Sequence, residues 1–186
     1  MRSRERKHVP LQRMDIESLV VGGGPLASLV VLRSQGSGES EGAAQLPIQI
    51  GSFEASAISM GVTPREGGRP MTHDLLKSTI SALGASCVSV RINDVKGTTF
   101  YAQVELMRED GRQVLVDARP SDAIALAVRE EVPVFAEDSV LKTASLPDFR
   151  GVERDEQERE LAEFHNFVES LSPEDFTVTH EEPDGE

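Results

Sequence analysis

The side chains able to do chemistry gather where one expected element gives way to the next. Glu54 stands at the start of a helical stretch, and His73 and Asp74 open a second. Asp117 closes a strand, and Arg119, Ser121 and Asp122 follow at the start of the next helix. Carboxylates at such ends can hold Mg²⁺, a hard cation that takes one or two carboxylates and keeps several waters. Such an ion lowers the pKa of bound water and neutralises charge on a phosphoryl group. Arg119 can grip a phosphate with two parallel N–H donors. The same residues also have a plain structural use. Helix dipoles favour acids at Asp74 and Asp122, and Arg119 can pair with Asp117 or Glu54. Spacing alone leaves both uses open.

Other chemistries find no support. There is no nucleophile elbow, no Walker loop and no histidine pair at metal spacing. Gly22-Gly23-Gly24-Pro25 lacks the lysine and helix of a phosphate loop and reads as a hairpin turn. His8, His165 and His180 fall in the terminal segments. Cys87 is the single cysteine, which excludes an intrachain disulfide and a cysteine cluster for zinc.

The elements that must position the polar residues follow from periodicity. Strands are expected from Met14 to Val21, from Leu26 to Leu32 and from Leu46 to Ile50. Pro47 lacks an N–H, so the third strand is expected to lie at a sheet edge or to begin there. Residues 53–60 and 70–84 read as helices. In the second, Leu75, Leu76, Thr79, Ile80 and Leu83 share an apolar face, Thr72 is an N-cap and Gly84 the terminating C′ residue. A meander follows. A three-residue loop at Val95–Gly97 would pair Ile92 with Phe100, and one at Glu109–Gly111 would pair Leu106 with Val114. The meander's other face would carry Arg91, Tyr101, Gln103, Glu105 and Asp117. Pro120 suits the first position of a helix. Strand-strand-strand-helix occurs twice, so an internal βββα duplication is one expectation. The class is α+β, a mainly antiparallel sheet with packed helices.

Charge divides the 186 residues. Residues 1–150 hold 17 Lys+Arg against 19 Asp+Glu, and residues 151–186 hold 2 against 13. Three parts are expected: a mobile basic arm at 1–13, a domain at 14–148 and an acidic helical tail at 149–186, partly disordered. In the tail, Leu161, Phe164, Val168 and Leu171 form a narrow seam. This tail helix would dock on the body or on another protein. No apolar run approaches the roughly 18–20 residues of a membrane span, and the charged start has no apolar segment of a signal peptide. A cytoplasmic protein without a membrane partner is expected.

Four stretches in order carry a family resemblance. They are Leu46-Pro47-Ile48-Gln49-Ile50-Gly51-Ser52-Phe53-Glu54-Ala55, Thr72-His73-Asp74-Leu75-Leu76, Asn93-Asp94 with Thr99-Phe100-Tyr101-Ala102, and Asp117 to Ala127. Together they resemble the bifunctional nuclease domain family over roughly Met14 to Ala144. The sequence departs from the family's pattern by its Gly/Ser/Glu insertion before Leu46 and by Ser52 where proline is usual. The resemblance implies an α+β fold, a homodimer, and hydrolysis of phosphodiester bonds in RNA and/or DNA. On that reading Glu54, His73, Asp74, Asp117 and Asp122 are the catalytic candidates. Arg119 and Ser121 would bind substrate, and Asp117 and Asp122 would hold Mg²⁺. The alternative is a non-enzymatic dimeric module that binds a ligand or regulator. The near-neutral body favours the alternative, because nucleases gain affinity by neutralising phosphates with Lys and Arg.

Overall fold

A computed structural model describes residues 10–22, 27–35, 43–63 and 68–146. Expectations for residues 1–9, for the turn at 23–26 and for the acidic tail lie outside these residues. Among the described residues, β1 (Leu11–Val20), β2 (Ser28–Ser34) and β3 (Gln45–Ile50) form one meander. A second comprises β4 (Ala85–Lys96), β5 (Thr99–Arg108) and β6 (Gln113–Ala118). The strand β7 (Val134–Glu137) joins them, antiparallel to β1 and parallel to β4, so the sheet runs β3-β2-β1-β7-β4-β5-β6. Pro47 lies on the edge strand β3, where its missing N–H breaks no ladder. Residues Leu11 to Arg13, expected in the arm, are strand and pair with Glu137, Ala136 and Phe135.

The helices are α1 (Ser52–Val62), α2 (Thr72–Ala82), α3 (Pro120–Glu130) and α4 (Asp138–Ala144). One sheet face supplies Val30, Leu32, Leu46, Ile48, Val90 and Ile92 to the core, where they meet Ile58, Ile124, Leu126 and Val140 from the helices. Each such aliphatic side chain contributes about 1.5–3 kcal/mol when fully buried. The fold is α+β, with helices packed on a mainly antiparallel sheet. The order β1-β2-β3-α1 recurs as β4-β5-β6-α3 with α2 between, and element order alone does not establish a duplication.

Two expectations change. The β4–β5 turn has two residues, Gly97 and Thr98, and Ile92 pairs with Ala102 rather than Phe100. A bulge between Ile92 and Asp94 takes up the extra residue, so Ile92 still faces the helices. The β5–β6 register does place Leu106 opposite Val114, and Gly111 in that loop takes φ +77. The second change is in α2. Ile80 is buried, but Leu75, Leu76 and Leu83 are exposed. The side toward α3 carries His73, Lys77 and Ile80 at helical spacing: Ile80 is buried, His73 meets Asp122, and Lys77, though exposed, donates to the Arg129 carbonyl. Gly84 ends α2 at φ +67, as a glycine C′ residue should. The N-cap is Met71, one residue before Thr72.

Candidate functional site

Three helices begin alike. Each puts an acid at its third position: Glu54 in α1, Asp74 in α2 and Asp122 in α3. An acid there offsets the positive end of the helix dipole. The first turns of the three helices meet through a chain of contacts. Arg119, the residue before α3, donates from Nε to Asp122 Oδ2 at 2.8 Å and from Nη2 to Oδ1 at 3.2 Å. Its Nη1 donates to Glu54 Oε1 at 2.9 Å. His73 Nε2 stands 3.3 Å from Asp122 Oδ1. A carboxylate only accepts, so Nε2 carries the hydrogen in this contact.

This arrangement fixes the charges. Hydrogen bonds from Arg119 hold the Asp122 carboxyl below the usual carboxylate range; burial opposes them, and His73 adds to the lowering. Asp122 and then Glu54 push the Arg119 guanidinium further up. Arg119 remains exposed over 64% of its side chain. Three of its five N–H donors are used, which leaves two for a ligand.

The other candidates lie apart from this chain of contacts. Asp74 follows His73 but turns to its own helix start, accepting from the Met71 amide at 2.8 Å and from Arg129 Nε at 2.6 Å. The Met71 amide and then Arg129 hold its carboxyl below the usual range. Asp117 pairs in register with Gln103, one step from the Val104–Val116 pair that faces the helices. Its side chain therefore points to the opposite sheet face, is exposed, and makes no hydrogen bond or ion pair with the described residues. Of the two partners open to Arg119, Glu54 is the one it takes, and the Asp117 side chain points to the sheet face away from the helices, among them α3 with Asp122. Ser121 is buried, and among the described residues its hydroxyl has no hydrogen-bond partner. No group of three or more His, Cys, Asp or Glu among the described residues could hold a metal ion.

Arg129 was absent from the sequence-derived candidates. Its side chain is only 6% exposed, and its Nη1 donates to the Ala57 and Ala125 carbonyls at 2.9 and 2.8 Å. With Asp74 it straps α1, α2 and α3 together. The available signal was its spacing: Arg129 lies seven residues after Asp122, two turns along the same face.

Two cavities adjoin the cluster. One, of about 580 Å³, is lined by Glu54, Thr98, Thr99, Arg119 and Ser121 among others. The second, of about 350 Å³, is lined by Phe53, Met60, Met71, His73 and Asp122 together with Glu54 and Arg119.

Residues 30–148, which include every residue of the cluster, match the model of the bifunctional nuclease domain. The chain belongs to the bifunctional nuclease domain family. In this family member the matched range starts within β2, and β1 is a sheet strand outside it. The chain is also similar to two proteins of Mycobacterium tuberculosis, uncharacterized protein Rv1829 of strain H37Rv and uncharacterized protein MT1877 of strain CDC 1551. Each is 42% identical over 149 residues, covering 76% of this chain and 86% of the relative.

Proposed function

We propose that the chain is a nuclease that hydrolyses phosphodiester bonds in RNA, DNA or both, assisted by Mg²⁺ at the Arg119 cluster. The observation that carries this reading is the meeting of three helix N-termini around Glu54, His73, Arg119 and Asp122. A body with 17 Lys+Arg against 19 Asp+Glu has little bulk charge to attract a polyanion. Helix N-termini carry about half an elementary charge each, which Glu54, Asp74 and Asp122 offset, so directed N–H donors rather than net charge would meet a phosphate. A phosphate would take the two remaining Arg119 donors, the Ser121 hydroxyl and the first-turn amides of α3.

The protein's own part in the reaction is then simple. Asp122 orients His73 through Nε2, and His73 Nδ1 accepts a proton from the attacking water. The water oxygen bonds to phosphorus, the bond from phosphorus to the leaving oxygen breaks, and that oxygen takes up a proton. Mg²⁺, when bound, supplies charge neutralisation and a more acidic water. With no group of three such ligands among the described residues, Glu54 and Asp122 would hold it only in exchange for hydrogen bonds to Arg119, water filling the rest of its shell. Asp74 and Asp117 take no part in these steps. Asp74 positions His73 through the helix start, and Asp117 remains available on the other face of the sheet.

Self-association belongs to the same proposal. The strand β6, terminal in the sheet, leaves Val114, Leu115 and Val116 exposed in a row, beside a backbone edge that no other described strand pairs. The exposed α2 leucines offer a second apolar surface but no backbone donors. A homodimer through β6 is expected, and a monomer at micromolar concentration in sedimentation would exclude it.

The function is tested with purified protein, free of host nucleases, on single-stranded RNA and DNA. Cleavage with Mg²⁺ that stops with chelator is expected. Cleavage of neither would end the nuclease reading in favour of the non-enzymatic dimeric module.

A further inference from the structure

The two cavities share Glu54 and Arg119 as a common wall; both have mixed linings, and the smaller is the more apolar. The larger sets the Thr98, Thr99 and Ser121 hydroxyls among Ile48, Ile50 and Phe100. The smaller offers the Phe53 ring and the thioethers of Met60 and Met71. Phe53 is 88% exposed although it sits in the first turn of α1, directly before Glu54. Aromatic side chains normally stabilise a fold by burial, so this ring does little for the core.

We infer that Phe53 is a stacking platform for an unpaired nucleobase, so that the site takes single-stranded nucleic acid in preference to duplex. This rests on the reading of the Arg119 cluster as a phosphodiester site. A more apolar slot with an exposed ring, beside a cavity that holds hydroxyls, and with Arg119 between them, matches the adjacent base and phosphate of one nucleotide. Methionine sulfur is polarisable and adapts to flat faces, which suits the flanks of such a slot. A base inside a duplex is stacked on both sides and cannot reach the ring, whereas an unpaired base can splay onto it. The charge balance points the same way. With few phosphates neutralised by Lys and Arg, affinity must come from a contact that salt does not screen, and base stacking is one. Every base has a face to stack, so such a slot accepts both RNA and DNA.

The chain contains no tryptophan, so Phe53→Trp installs a single fluorescent reporter at the proposed contact. The full-length chain would be titrated, in chelator to prevent turnover, against fluorescein-labelled oligo-dT and oligo-U of about 12 nucleotides and against a duplex of equal length. Both single strands are expected to bind more tightly than the duplex. Phe53→Ala should weaken them by about tenfold or more, at an unchanged melting temperature. Phe53→Trp should retain binding, and its emission should be quenched as the strand binds. Wild-type affinity in Phe53→Ala overturns the inference, as does equal binding of duplex, no binding of either single strand, or unquenched emission with strand bound. A dimer that Phe53→Ala dissociates without altering strand binding would assign the ring to a second copy instead. Cleavage measured separately with Mg²⁺ keeps the two readings distinct. Cleavage indifferent to Phe53 overturns the stacking role alone, and binding through Phe53 without cleavage overturns the nuclease alone.

Discussion

Arg119 and Asp122 hold each other by two hydrogen bonds, Nε to Oδ2 at 2.8 Å and Nη2 to Oδ1 at 3.2 Å. The fork leaves Nη1 to reach Glu54, so one planar group spans the first turns of α1 and α3. A lysine cannot reproduce that geometry, because its ammonium is a point charge without a fork. Arg119→Lys should therefore cut cleavage at least about tenfold, a loss of roughly 1.4 kcal/mol of transition-state stabilisation. The pair is largely exposed, so the melting temperature should move by no more than the roughly 0–1 kcal/mol of a surface ion pair. Steady-state cleavage and thermal melting of the same preparation check both halves.

Gly51 precedes α1, and a Cβ there would overlap Glu54 Oε2. Its φ of −75 is ordinary, so alanine brings no backbone strain. Gly51→Ala should displace the Glu54 carboxylate from Arg119 and lower cleavage as far as Glu54→Gln does, with a stability change of about 1 kcal/mol or less. Wild-type activity in Gly51→Ala would show that Glu54 need not touch Arg119.

Arg129 predicts the opposite pattern. Arg129→Met removes the donor to the Ala57 carbonyl and should destabilise by about 1–3 kcal/mol. Gly61→Ala should act through the same group, because its Cβ would stand 2.7 Å from Arg129 Nη1. Denaturant unfolding of both variants, singly and together, should give less than additive losses.

The three helix starts were legible in the sequence because the acids, Pro120 and the apolar runs after them are local signals. The sheet alternation was legible too, including the place of Asp117 beside Gln103 on the face away from the core. Asp117 entered the metal pair because it is close to Asp122 in sequence, although its strand turns the side chain away. What local signals did not contain was tertiary choice. The Asn93 bulge changes a register that a regular ladder would fix. The side of α2 that meets α3 is its His73-Lys77-Ile80 line, because those polar groups find partners on α3 that no single helix reveals. Arg129 looked like an ordinary last-turn cation until two carbonyls and Asp74 converged on it.

The acid limb of stability follows from Asp74 and Asp122. Both carboxyls are held below the usual range in the fold, so the unfolded chain binds protons first as pH falls. Their contribution is complete above the ordinary carboxylate pKa, near about 4, and is lost as pH drops through the depressed folded values. The stability gap between wild type and Asp74→Asn should stay constant from neutral pH to about 5 and close below about 4. Melting curves across that range check it; a gap that closes above pH 5 would contradict the direction of both shifts.

The most direct measurement is Mg²⁺-dependent cleavage of a single-stranded RNA by Asp122→Asn beside wild type, with melting recorded on both. The substitution keeps shape but removes the charge that holds Arg119 and orients His73. Cleavage should fall by orders of magnitude, with stability within the roughly 0–1 kcal/mol of an exposed pair. Equal cleavage by the two proteins, or activity lost only because the variant unfolds, would contradict a catalytic centre built on Asp122.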